Sequence, residues 1–200
     1  CDDVLMTSVA YDHPNVVWVA AGAGWLGDSV TNPRSGGHVV QADGDWYGVE
    51  KLADGREFRR PSPTYWLEGT TLHTPHGTTE LKLSIPGRAN LGNAAQAIAA
   101  AVEAFGVPFE KAVRATEAVD NVAGRYSSVH LGEREVHLLL AKNPAGWQEA
   151  LSMVDRSADG LVIATNGQVA DGEDLSWLWD VKFEDFGDTH VVAAGERATD

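Results

Sequence analysis

The run from Asn90 to Phe105 constrains this chain most. It is rich in alanine, carries no proline and ends at Gly106, so it reads as one long helix with a glycine stop. Pro108 to Val119 follows as a second helix, with Phe109, Ala112, Val113 and Thr116 on one side. Two consecutive helices with apolar faces need another layer to bury them, and the flanking sequence supplies strands. Tyr65–Leu67, Thr71–Thr74 and Glu80–Ile85 alternate as a meander before the helices. After residue 130, strands and helices take turns: Val136–Ala141, Gly146–Val154, Gly160–Ala164, a helix around Ser176 and His190–Ala194, with Tyr126–Leu131 ahead of them. That order argues for a small α/β domain in this part of the chain. The remaining segments are Val4–Ala10, which reads as a strand, and Asn15–Ala21, a helix or a strand. Residues 22–63 are a Gly-, Asp-, Pro- and Arg-rich insertion with small hairpins. Asn121–Arg125 reads as a hinge.

Charge narrows the partners. The 200 residues carry a formal net charge of −14, which argues against a nucleic-acid backbone as ligand and against a polybasic membrane anchor. A single cysteine, Cys1, excludes an internal disulfide or a cysteine zinc cluster. No apolar run is long enough to span a bilayer. The sequence opens without an initiator methionine, which reads as a start inside a longer protein.

Several motifs invite chemistry, and each has a plainer reading. Gly22-Ala23-Gly24-Trp25-Leu26-Gly27 matches the dinucleotide fingerprint, but Pro33 and Gly36-Gly37 follow where a phosphate-binding helix is required. It reads as a chance match. His73 and His76 are separated by a proline and read as surface loop histidines. No G-x-x-x-x-G-K-[ST] phosphate loop and no G-x-S-x-G nucleophile elbow occur.

Three stretches keep a functional reading open. In Gly87–Ala95, Asn90 and Asn93 lie three apart at a helix start, where two amides can meet an adenine edge. The plainer reading makes Asn90 an N-cap. Leu138–Trp147 reads as a buried strand running through Lys142-Asn143-Pro144 into a helix, the place where α/β sheets gather ligands. An ordinary strand-to-helix corner set by Pro144 explains it equally well. Asp174-Leu175-Ser176-Trp177-Leu178-Trp179-Asp180 puts two tryptophans between two acids. It is either a helix capped by Asp174, with Trp177, Leu178 or Trp179 packed inward, or a partner-facing surface.

Taken in order, these stretches resemble a known family. Pro86–Ala95 resembles the asparagine motif that closes the central domain of Mur ligases, and Gly124-Arg125-Tyr126 the start of their C-terminal domain. Leu138–Trp147 and Asp171–Asp180 are similar to one branch, the MurT family. Ala10-Tyr11-Asp12-His13-Pro14 is similar to that family's Asn-Ala-Asp-Asp-Pro segment. The resemblance implies an α/β, Mur ligase-like fold. Residues 1–121 would be the remainder of the central ATPase domain, with a ribbon-like insertion at 28–66, and residues 122–200 a smaller, truncated Rossmann-like C-terminal domain.

The activity it implies is ATP-dependent and glutamine-dependent amidation of the D-glutamate α-carboxylate of the lipid II stem peptide. The work is shared with a GatD-like class-I glutaminase, in the cytoplasm at the inner face of the membrane. By resemblance Asn90 and Asn93 would contact adenine, Lys142 and Asn143 would line the family's interdomain cleft, and Arg125 belongs with the same cofactor-binding set. Asp174, or else Asp180, completes the glutaminase Cys–His pair. ATP and Mg2+ would need the phosphate loop, which lies outside this sequence. The family's insertion usually carries four zinc cysteines. Here Asn32 and Ser35 stand in the first pair and Asp45–Pro61 holds none, so the expectation is a zinc-free ribbon held by Trp46, Tyr47 and Phe58. The alternatives are a folylpolyglutamate synthase-like ligase and a non-catalytic interaction module.

Overall fold

Asp3 opens the first helix. Its carboxylate accepts the Met6 amide at 2.7 Å, and helix α1 runs Val4–Ala10 with Val4 and Thr7 buried one turn apart. The sequence reading of a strand here is corrected: the cap and the three-residue spacing of the buried side chains decide for helix. The structure, a computed structural model, describes residues 1–22, 29–122, 126–167, 174–186 and 189–199. The chain divides into two units, Cys1–Asp120 and Asn121–Asp200.

The first unit holds two sheets. One has the order β1-β5-β6-β7, with β1 Val19–Ala20 parallel to β5 Tyr65–Glu68, and β6 Thr71–Thr74 and β7 Gly77–Glu80 continuing antiparallel. Asn15–Ala21 therefore contributes only a two-residue strand. The last meander strand lies earlier than Glu80–Ile85, because the turn at Thr74–Gly77 reverses the chain at once; the Thr74 hydroxyl donates to the Gly77 carbonyl at 2.8 Å. The other sheet is antiparallel, with the order β2-β3-β4: Val39–Ala42, Asp45–Lys51 and Glu57–Arg59.

The two helices pack on the first sheet. Helix α2 is Arg88–Phe105 and ends at Gly106, whose φ of 65° is the left-handed stop that glycine adopts without strain. Helix α3 is Phe109–Glu117, with Pro108 as its N-cap residue. Their buried faces (Ala94, Ala95, Ile98 and Ala99 on α2, Ala112 and Val113 on α3) close over Tyr65, Leu72 and Leu81. Small alanines let α2 lie close to the sheet, and Gly92 faces the residue that follows β1: a Cβ there would stand 3.0 Å from the Ala21 Cβ. A second core joins α1 to the insertion sheet, with Val4 among Val39, Trp46, Leu52 and Phe58 and with Tyr11 packed against them. Tyr47 is exposed, so it does not take the packing role expected of it: strand alternation turns it away from the face that buries Trp46.

The second unit begins with the hairpin β8 Tyr126–Leu131 and β9 Arg134–Leu139. Helix α4 spans Pro144–Ser152, and β10 Leu161–Ala164 pairs in parallel with β11 Val191–Ala194. A parallel pair needs a crossover, and the Trp-rich motif lies inside that crossover. Leu138 and Leu140 are exposed, which corrects the reading of a buried strand; β9 lies in a two-stranded hairpin with no third strand among the described residues to cover it.

Candidate functional site

Gly87, with a φ of 101°, is the N-cap residue of α2, and it has no side chain to offer the helix. Asn90 is therefore already helical and is not the cap. Its Nδ2 donates back to the Pro86 carbonyl at 2.5 Å, which ties the preceding loop to the first turn. Asn93, one turn on, is exposed. The two amides share a helix face as their spacing requires, but the Asn90 amide nitrogen is engaged by the Pro86 carbonyl. The same first turn contributes Arg88 to a cavity of about 390 Å³, whose wall includes Asp2, Gln41, Trp46, Arg60 and Trp66. Asn90 and Asn93 do not line it. Sequence reasoning missed Arg88 and Trp66, although Arg88 sits inside the asparagine motif.

Asp2 organises one side of that cavity. Its Oδ2 accepts the Ala21 and Gly22 amides at 2.6 and 2.9 Å, and its Oδ1 accepts Arg60 at 2.7 and 3.0 Å. The loop that follows β1 is thus pinned to the chain's first residues. Of the dinucleotide-like match, Gly22 alone falls within the described residues, and Arg125 lies outside them.

The reading of His73 as a loop residue needs a correction. His73 is a β6 residue stacked flat on Trp66, with centroids 4.8 Å apart and planes 3° from parallel, and His76 meets Glu103 at 3.1 Å. His76 sits in the exposed turn between β6 and β7, as a surface loop residue should, so only His73, in a strand and half-buried, departs from the expected loop placement. Glu103 also accepts the Tyr65 hydroxyl at 2.5 Å. That bond first, and His76 second, hold the Glu103 carboxyl below its ordinary range, while burial pushes the Tyr65 phenol up.

The resemblance raised zinc in the insertion, and the donor set does not fit it. The turn at Asn32–Gly37 is closed by the Asn32 amide on the Gly37 carbonyl and by the Gly36 amide on the Asn32 carbonyl, both at 2.8 Å. A second turn at Leu52–Arg56 is closed by Leu52 on Arg56 and Gly55 on Leu52, also at 2.8 Å. Asn32, Ser35, Leu52 and Gly55 occupy these turns. Leucine and glycine carry no ligating atom, and an amide and a hydroxyl are weak zinc donors. Among the described residues no group of three or more His, Cys, Asp or Glu gathers to hold a metal ion.

In the second unit, Asn143 is the N-cap of α4; its side chain accepts the Gly146 amide at 2.8 Å, with Pro144 at the first helical position. Lys142 and Asn143 are both exposed. Helix α4 packs against the acidic, Trp-rich motif, which forms a 3-10 turn over Ser176–Asp180. Leu175 holds the N-cap position there, so Asp174 is not the cap; its Oδ1 accepts the Ser176 amide at 2.9 Å. That amide first, and the Ser176 hydroxyl second, draw the Asp174 carboxyl below its usual range.

The inward packing falls to other residues than the tryptophans. Leu175, Val181 and Phe186 are buried, Trp177 and Leu178 are half-buried, and Trp179 is 83% exposed. Trp147 of α4 meets Phe183 edge-on at 5.5 Å, and the Arg156 guanidinium lies 4.2 Å over Phe186. Asp174 and Asp180 are both exposed, at either end of this anchored turn. An ionised carboxylate presented in this way can accept a hydrogen bond from an incoming imidazole N–H. No described residue supplies a nucleophile–base pair around it.

Residues 140–200 match the family model "MurT ligase C-terminal". The chain is MurT-like. The matched residues include Lys142, Asn143, Asp174 and Asp180. This MurT-like chain is 32% identical, over 56% of its length and 25% of the other protein, to the lipid II isoglutaminyl synthase (glutamine-hydrolyzing) subunit MurT of Streptococcus pneumoniae. It is 36% identical to the subunit of the same name from Staphylococcus aureus, over 38% of its length and 18% of that protein. It is also 31% identical to the UDP-N-acetylmuramoyl-L-alanyl-D-glutamate–2,6-diaminopimelate ligase of Listeria monocytogenes, over 60% of its length and 24% of that protein. The MurT-like chain therefore spans about a quarter or less of the length of these relatives. No solved structure matches it. Mixed α/β content and the Mur ligase relatives agree on a Mur ligase-like protein. Among the described residues, no helix is long and apolar enough to cross a membrane.

Proposed function

We propose that this chain is part of the Mur-ligase-like subunit of an ATP-dependent, glutamine-dependent amidotransferase, which converts the D-glutamate α-carboxylate of the lipid II stem peptide into its amide. The match of residues 140–200 to the MurT C-terminal family carries the reading. The diaminopimelate ligase relative is compatible with a Mur ligase in general, whereas that C-terminal match singles out the MurT branch. A carboxylate resists attack by ammonia because its oxygen is a poor leaving group. Phosphorylation by ATP converts that oxygen into a good one, and ammonia then displaces phosphate to leave the amide. When bound, ATP with Mg2+ supplies the phosphoryl group and neutralises its charge. The residues proposed for nucleotide contact are Asn90 and Asn93 and, by the resemblance alone, Arg125, Lys142 and Asn143.

Ammonia would come from a class-I glutaminase partner related to GatD, acting with this subunit at the cytoplasmic face of the membrane where lipid II is presented. Asp174, already ionised and fixed by Ser176, is the better candidate to orient the partner's catalytic histidine, and Asp180 is the second. The test is glutaminase turnover of the complex reconstituted with the full-length subunit. Asp174→Asn is expected to lower kcat by about three to four orders of magnitude, as loss of a triad acid does, while assembly persists. Normal turnover in both Asp174→Asn and Asp180→Asn would overturn the triad role. Failure of the full-length subunit to bind ATP would overturn the ligase reading itself.

A further inference from the structure

We infer that the segment Tyr11-Asp12 is a metal-free clip that locks the two turns of the insertion together. The two turns, Asn32–Gly37 and Leu52–Arg56, are each closed by a pair of backbone hydrogen bonds, over six and five residues, and each places an arginine beside the same carboxylate. Asp12 accepts Arg34 of the first turn on Oδ2 and Arg56 of the second on Oδ1, the latter at 2.8 Å. Asp54 extends the chain of charges, accepting the Arg56 Nε at 2.7 Å and its backbone amide at 3.0 Å.

The ring of Tyr11 adds what isolated surface ion pairs lack. The Arg34 and Arg56 guanidinium carbons lie 5.0 and 5.2 Å from its centroid, so one aromatic ring attracts both turns. Its hydroxyl donates to the Glu57 carbonyl at 2.5 Å, just past the second turn, and its edge packs on Phe58 at 5.1 Å in the buried core. Arg34 also donates to the Ser8 carbonyl at 2.9 Å, which fastens the first turn to α1. The two residues just past α1 thus sit where both turns can be gripped at once, a task for which four converging donors on a metal are the usual alternative. Asn32, fully buried behind the first turn, accepts the Arg34 amide on Oδ1 at 2.9 Å, which helps to close the turn, while its Nδ2 is buried beside Gly48 without a hydrogen-bond partner.

The test is amide hydrogen exchange on the full chain, with metal content measured on the same sample. The expected result is substoichiometric zinc and exchange at residues 32–37 and 52–57 that a chelator leaves unchanged. Tyr11→Leu and Asp12→Asn should each speed exchange in both turns by about 5- to 30-fold, the factor that corresponds to losing one or two such contacts, while α2 stays protected. Arg56→Met, an exposed change that cannot unfold the core, should speed both turns as well. Stoichiometric zinc, loss of protection on chelation, or exchange within twofold of the parent in Arg56→Met and Asp12→Asn would overturn the clip. Loss of protection confined to the turn bearing the substituted arginine would do so too.

Discussion

The Asn143 side chain accepts the Gly146 amide at 2.8 Å, so a residue proposed for nucleotide contact is also the N-cap of α4. The two roles separate by substitution. Asn143→Ala removes the cap and should cost about 1 kcal/mol in chemical denaturation, whereas Asn143→Asp keeps a capping oxygen and should be close to neutral. If Asn143 also meets nucleotide, Asn143→Asp in the full-length subunit will weaken ATP binding while stability holds. Equal ATP affinity in parent and Asn143→Asp would leave the residue a cap alone.

Leu175 and Trp179 lie four residues apart in one motif but are 5% and 83% exposed. Burial makes Leu175 the anchor, and Leu175→Ala should destabilise by about 2–5 kcal/mol. Trp179→Ala removes little packing, and its unfolding free energy should stay within about 0.5 kcal/mol of the parent. If this turn meets the glutaminase, Trp179→Ala should nevertheless weaken the complex by about 2 kcal/mol or more, the loss typical of an aromatic hot spot. Calorimetric titration of the full-length subunit with its partner, beside denaturation of each variant, measures both effects.

How much of this was legible in the sequence depends on what each residue's role required. Helix α2 was legible because alanine propensity and the Gly106 stop are local. Helix α1 was not, because Val4–Ala10 is apolar enough for a strand and only the Asp3 cap, together with the burial of Val4 and Thr7, decides for helix. Asn90 looked like a cap because it precedes the alanine run, yet Arg88 and Ala89 had already entered the helix behind Gly87. The Tyr11–Asp12 clip was the least legible. Its partners Arg34 and Arg56 are distant in sequence, and only the folded insertion brings them to one carboxylate. The Asp174–Asp180 motif stood out by composition, but which of its side chains are buried depends on a 3-10 turn that composition does not encode.

Glu103 links pH to the stability of the first unit. Its folded pKa lies below the ordinary value of 4.5, chiefly through the Tyr65 hydroxyl and then through His76. A depressed carboxyl pKa stabilises the fold above the unfolded value, and that stability is lost as pH falls through the lower folded value. Glu103→Gln should therefore be less stable than the parent at pH 7, by roughly 1 kcal/mol or less because the side chain is a third exposed. The gap should close under acid. Tyr65 works from the other end: its phenol is raised above 10.0, so its contribution is present at neutral pH and is lost as strong alkali ionises it. Urea denaturation of parent, Glu103→Gln and Tyr65→Phe from pH 3 to pH 8 checks the acid limb. A gap that stays constant with pH would show that Glu103 acts through packing and not through its charge.

Gly92 tests how closely α2 is held to the sheet. Alanine is favoured over glycine inside a helix by about 1 kcal/mol, so Gly92→Ala would stabilise α2 if the new methyl group had room. The methyl would meet the Ala21 Cβ at 3.0 Å. Ala21 cannot readily give way, because its amide is held by Asp2 at 2.6 Å and Asp2 is in turn held by Arg60 at 2.7 Å. The crowding should outweigh the propensity gain, and overpacking of this kind costs about 1–3 kcal/mol. Gly92→Ala is therefore expected to be net destabilising and Gly92→Val more so. Ala21→Gly in the Gly92→Ala background opens the space and should recover most of the loss, which makes the pair strongly non-additive. Thermal unfolding of the two single variants and the double variant decides it. Additive effects would mean that α2 shifts on the sheet to accommodate the methyl.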